Sequence, residues 1–103
     1  MPNPYTENEV VLCAYIALFD TALLNTKKIT SIAGRSEASI KLKVQNIAAM
    51  LDHKSIKRNQ NITALTGLVR GETGRDTDWE VVEPLIQMGK EAHWKKCKGI
   101  LIP

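Results

Sequence analysis

The sequence predicts an all-α fold: a small helical bundle containing a helix-turn-helix-like unit, an irregular glycine-rich segment and a C-terminal helix. Three observations carry this reading. Apolar residues recur at helical spacing, and no segment shows the alternation of a half-buried strand. Helix-start signals stand before those segments, at Thr6-Glu7-Asn8-Glu9, at Ser36 and at Thr77-Asp78-Trp79-Glu80. Gly34 lies between two of them, where a left-handed residue can end one helix at no Cβ cost.

At 103 residues and 44% apolar composition, the chain has the size and make-up of one domain with a modest core. It divides into a tri-helical core over residues 6–52, a basic loop and turn-rich segment over 53–76, and a C-terminal helix over 77–98. No apolar run reaches the roughly 18 residues needed to span a bilayer. The N-terminus lacks the basic start and apolar stretch of a signal peptide, so a soluble, cytoplasmic protein is expected.

The first helix follows Thr6, with Glu9 reaching back to complete a capping box. Its residues from Val10 to Phe19 are apolar on most of the circumference, so it should be buried, ending near Leu24 or Asn25. Lys27 to Ala33 reads as a short second helix with Ile29, Ile32 and Ala33 turned inward. The third runs from about Glu37 to Asp52, and Ile40, Val44, Ile47 and Leu51 form its buried stripe. The opposite face carries Ala38, Lys41, Leu42, Gln45 and Ala49, flanked by Ser39 and Asn46. It has no acid after Glu37, whereas a solvated helix usually mixes Glu with Lys to gain i,i+4 pairs.

Beyond it, Lys54 to Asn61 reads as an exposed basic loop. Ile62, Leu65, Leu68 and Val69 offer anchors for a short helix or an extended return, punctuated by Gly67, Gly71 and Gly74. The last helix begins near Thr77, with Asp76 as an alternative cap, and should kink or restart at Pro84. Trp79, Val82, Leu85, Ile86 and Met88 supply its apolar side, and Lys95, Lys96 and Lys98 suit the dipole of its C-terminal end.

Net charge is only +3, but its distribution is uneven. From Lys27 to Arg58 there are eight lysines and arginines against Glu37 and Asp52, a net +6. The first 26 residues carry only Glu7, Glu9 and Asp20, a net −3. Such asymmetry points to a surface that attracts phosphate. Cys13, Cys97, His53 and His93 are isolated in sequence, without metal-ligand spacing, and the thiols read as reduced and structural. The Asn61-Ile62-Thr63 sequon has meaning only for a secreted chain. No catalytic residue, metal or cofactor is expected.

The order of features from Glu9 to Val82 resembles a region at the N-terminus of many bacterial HNH-type endonucleases. Gly34, Arg35, Ser39, Ile40, Lys43 and Asn46 match the form "GR-x-x-x-S-(I/V)-x-x-K-x-x-N". Leu51-Asp52, Gly67-Leu68 and Asp78-Trp79 follow in the family's order. The resemblance implies a DNA-recognition module. The chain has no His-Asn-His set, so what carries over is binding and not cleavage. A Gly-Arg-Ser turn before a lysine-bearing amphipathic helix is also what Myb-like and other three-helix regulators use.

The expected function is therefore double-stranded DNA binding, as a regulator or a stand-alone recognition module of a restriction-type or mobile-element system. Arg35, Lys41, Lys43, Lys54, Lys57 and Arg58 are the candidate phosphate contacts. Ser39, Lys41, Leu42 and Gln45 are candidates for base edges, Gln45 suiting adenine and Leu42 a thymine methyl. Ser36 and Asn46, at the margin of the same helix, complete the set. The alternative is a small helical adaptor or inhibitor that binds another protein, or a second copy of itself, through an apolar patch near Trp79, Trp94 and Ile100-Leu101-Ile102.

Overall fold

Helix α1, Glu7–Leu18, is the hub of the structure, and α2 (Thr26–Ala33), α3 (Glu37–His53) and α4 (Asp76–Leu101) all pack against it. The structure is a computed structural model that describes residues 5–62 and 76–102. Over the described residues the fold is all-α, as the sequence predicts. The anchors and turns expected at Leu65, Leu68, Val69, Gly67, Gly71 and Gly74, and the capping side chains Thr77 and Asp78, lie outside what is described. No helix among the described residues is long and apolar enough to cross a membrane.

Every side chain from Val10 to Leu18 is buried, which is why this helix can be apolar all round. The capping box forms: the Glu9 amide donates to Thr6 Oγ1 at 3.2 Å, and the Thr6 amide donates to Glu9 Oε1 at 2.8 Å. The helix stops at Leu18, short of the end expected near Leu24. Two side chains compete with its continuation. Asp20 Oδ1 accepts from the Ala22 amide, and Asn25, in extended conformation, caps α2 by accepting from the Lys28 amide. A residue cannot cap the next helix while it belongs to the previous one.

Gly34 ends α2 at φ 70°, ψ 21°, and its amide donates to the Thr30 carbonyl at 3.0 Å. Two residues later Ser36 Oγ accepts from the Ser39 amide at 3.1 Å and opens α3. Helix α3 then ends in a paired-bond motif. The Ile56 amide donates to the Leu51 carbonyl and the Ser55 amide to that of Asp52, with Ser55 left-handed at φ 59°. A serine gains nothing from that conformation. Ser55→Gly is expected to stabilise the domain by about 1 kcal/mol in urea unfolding.

Helix α4 breaks at Gly89 and not at Pro84. Pro84 removes one helical hydrogen bond, but the carbonyl left over belongs to exposed Glu80, where water can satisfy it. Gly89 sits at φ 86°, ψ 169°, a region open essentially to glycine alone. Past this break, His93, Trp94 and Cys97 pack against α1. Cys13 and Cys97 are both buried and neither forms a disulfide.

His93 is wholly buried, with its ring against Tyr15 and Phe19 at 5.3 and 5.7 Å. Its Nε2–H donates to the Val11 carbonyl at 2.9 Å, while Nδ1 is buried with no partner among the described residues. Burial holds the imidazole below its ordinary value of 6.5; the Val11 carbonyl opposes this and Lys96 adds to it. The unfolded chain therefore binds a proton that the folded chain resists. Stability should be full above about pH 6.5 and fall as pH drops below it. His93→Phe is expected to flatten the stability curve between about pH 7 and pH 5, read by urea unfolding at each pH.

Candidate nucleic-acid interface

Helix α3 is mounted by its neighbours on one side and bare on another. Ile40, Val44, Ile47 and Leu51 are buried in the core, as their spacing requires. Centred about 140° away, Ala38, Lys41, Leu42 and Gln45 fall within an arc about 100° wide. Ala38, Lys41 and Leu42 are exposed and Gln45 is half-buried. Lys41 is 61% exposed in its side chain and Leu42 is 52% exposed. Ala49, expected on the same face, is only 8% exposed, and Ala48 and Met50 beside it are buried too. On this face the helix is therefore open over its N-terminal half and again only at Asp52, which Arg58 holds.

The flank of α3 that carries Ser39 and Lys43 meets the segment before α1. The Tyr5 hydroxyl and Ser39 Oγ share a hydrogen bond of 2.7 Å. Lys43 Nζ lies 5.1 Å from the centre of the Tyr5 ring, and the Arg35 guanidinium carbon lies 4.0 Å from it. Asn46 is half-buried, and its Oδ1 has no partner among the described residues. Ser36 and Ser39 thus start and brace α3, and their hydroxyls are spent within the domain.

Two of the expected phosphate contacts are engaged elsewhere. Arg35 donates from Nε to Glu9 Oε2 at 2.8 Å and from Nη2 to Glu9 Oε1 at 3.0 Å, a bidentate pair at the base of α1. Burial would raise the Glu9 carboxyl, but hydrogen bonds from Arg35 and from Thr6 outweigh it and hold the group below its ordinary value. Arg58 grips both Asp52 oxygens, at 2.7 and 2.9 Å, and donates from Nη1 to the carbonyls of Asn59 and Ile62. Its side chain is only 9% exposed. Both arginines set the path of the chain.

The segment after α3 is correspondingly less open than a basic loop. Asn59 is buried; its Nδ2 donates to the Ile16 carbonyl and its backbone amide to that of Ala17, which satisfies the end of α1. Lys54 is exposed, with its ammonium 4.6 Å from the centre of the Trp79 ring, and Lys57 is exposed as well. Lys41 pairs with Glu37 at 3.3 Å, an i,i+4 contact the sequence reading did not credit to this face. A pair so exposed is worth about 0.3–0.5 kcal/mol and yields readily to a phosphate.

The structure adds residues to this surface. A cavity brings Asn25 and Thr26, at the start of α2, beside Lys41 and Gln45 of α3. Lys27 and Lys28, which follow directly, are exposed. Their charge belongs to the basic stretch from Lys27 to Arg58, at the start of a helix that packs against α3. The chain matches no family model, no curated protein and no solved structure.

Proposed function

We propose that this chain is a double-stranded DNA-binding module of the helix-turn-helix type, in which α3 enters the major groove by its N-terminal half. The observation that carries the reading is the arc of exposed Ala38, Lys41 and Leu42 and half-buried Gln45, whose one neighbouring acid at that end, Glu37, is paired with Lys41. Lys27 and Lys28, in the first turn of α2, are exposed as well. A groove admits a helix whose outer residues are small or reach base edges, and the recognition helices of such units contact bases from their N-terminal residues. Lys41 and Gln45 would read bases, with Leu42 against a thymine methyl. Lys27, Lys28, Lys41 and Lys57 would take phosphates. The resemblance to the N-terminal region of HNH-type endonucleases favours the same role, as a recognition module or regulator working in the cytoplasm by binding and not by catalysis.

In the adaptor reading the patch would consist of Trp79, Trp94, Ile100 and Leu101, half-buried against the core, and exposed Ile102. Fluorescence anisotropy of a labelled duplex, titrated at two salt concentrations, tests the proposal. The expected result is binding that weakens steeply as salt rises. No binding to specific or random duplexes at low salt would contradict it.

A further inference from the structure

Between the end of α1, the start of α2 and the flank of α3 lies a cavity of about 360 Å³. Its floor is aliphatic, made by Ile16, Val44 and Ile62, and three carboxamides, Asn25, Gln45 and Asn61, line it. Lys41 lies at its edge, shared with the exposed arc of α3. One of these side chains and the backbone of another are held in place from behind. Asn25 Oδ1 accepts from the Lys28 amide at 2.9 Å. The Asn61 backbone amide donates to Asn59 Oδ1 at 2.9 Å, and Asn59 is itself tied to α1.

We infer that this cavity is a binding site for a nucleobase. The volume lies at the low end for ligand pockets, which suits a ligand portion the size of a base or nucleoside. Carboxamides offer a donor and an acceptor side by side, as the edge of a base does. The aliphatic floor supplies an apolar face for an unstacked base. Lys41 supplies a cation for the attached phosphate. The choice of a base over another flat polar ligand rests on the DNA-binding reading, because the cavity opens beside the residues assigned to the groove. A base reaches it either from an unpaired position in a duplex or as a free nucleoside.

Two arms separate these sources. In the first, anisotropy compares a fully paired duplex with one carrying a single central mismatch. The mismatched duplex should bind on the order of tenfold more tightly, because the base is already unpaired. Thr21→Phe, which fills the cavity from its exposed rim and lies outside the proposed groove contacts, should bring the ratio to about one while paired DNA still binds. In the second arm, adenosine and cytidine are titrated while the side-chain amide resonances of Asn25, Gln45 and Asn61 are followed. Shifts present in the wild type and lost in Thr21→Phe support the site. Equal affinity for both duplexes, with no nucleoside shift, overturns the cavity site and leaves DNA binding standing. A mismatch preference that survives Thr21→Phe also overturns it. If no duplex binds but the amides shift, the cavity takes free nucleosides and the DNA reading falls; if neither is seen, both fall.

Discussion

Glu9→Ala is expected to destabilise the domain by roughly 2–4 kcal/mol, measured by urea unfolding near neutral pH. The carboxylate serves two partners at once. It accepts from the Thr6 amide to close the α1 cap and holds the Arg35 guanidinium by both oxygens. Removing it takes the carboxylate away from a mostly covered arginine and leaves the Thr6 amide without its acceptor, so that only the Thr6 Oγ1 half of the capping box remains. Glu9→Gln separates the parts, since glutamine can still serve a capping box but cannot neutralise Arg35; it should lose about half as much. Because the carboxyl is held below its ordinary value of 4.5, its contribution is complete above that pH. It is lost as pH falls through the depressed folded value, and Glu9→Gln should remove that acid-side loss. Arg35→Ala should likewise lower stability. A normal unfolding curve together with a lower salt slope in DNA binding would instead make Arg35 a phosphate contact.

The second large effect concerns recognition. Lys41→Ala and Gln45→Ala should each weaken discrimination between a preferred and a random duplex by about 1–3 kcal/mol. Neither side chain belongs to the buried stripe of α3, so the thermal melt should stay within about 2–3 °C of wild type. Anisotropy competition on the two duplexes checks this. Unchanged ratios in both variants would remove α3 as the base-reading element.

What the sequence made legible was local. The caps at Thr6, Gly34 and Ser36 act over a few residues, and each forms as its spacing implies. The buried stripe of α3 follows from periodicity alone. The misreadings are tertiary. Arg35 and Glu9 lie far apart in sequence and meet only once α1 and α3 have packed, so the ion pair that engages an arginine read as a phosphate ligand was not legible. Arg58 and Asp52 meet because the chain reverses at Ser55, a turn with no glycine to announce it. Ala49 shares the angular position of Leu42, yet it is covered where Leu42 is not, and helical phase cannot distinguish the two ends of one face. Pro84 is the louder signal in α4, but an exposed carbonyl absorbs its effect and Gly89 makes the break.

The salt dependence of duplex binding, compared between wild type and a Lys27→Ala, Lys28→Ala, Lys41→Ala triple variant, tests the central claim most directly. These three lysines are exposed, two in the first turn of α2 and one on the arc of α3 assigned to the groove. If they meet phosphates, the slope of log affinity against log salt should fall by roughly two to three units, since each lost contact releases about one counterion fewer. The fold should be preserved, because none of the three is buried. Parallel lines for the two proteins would contradict the account.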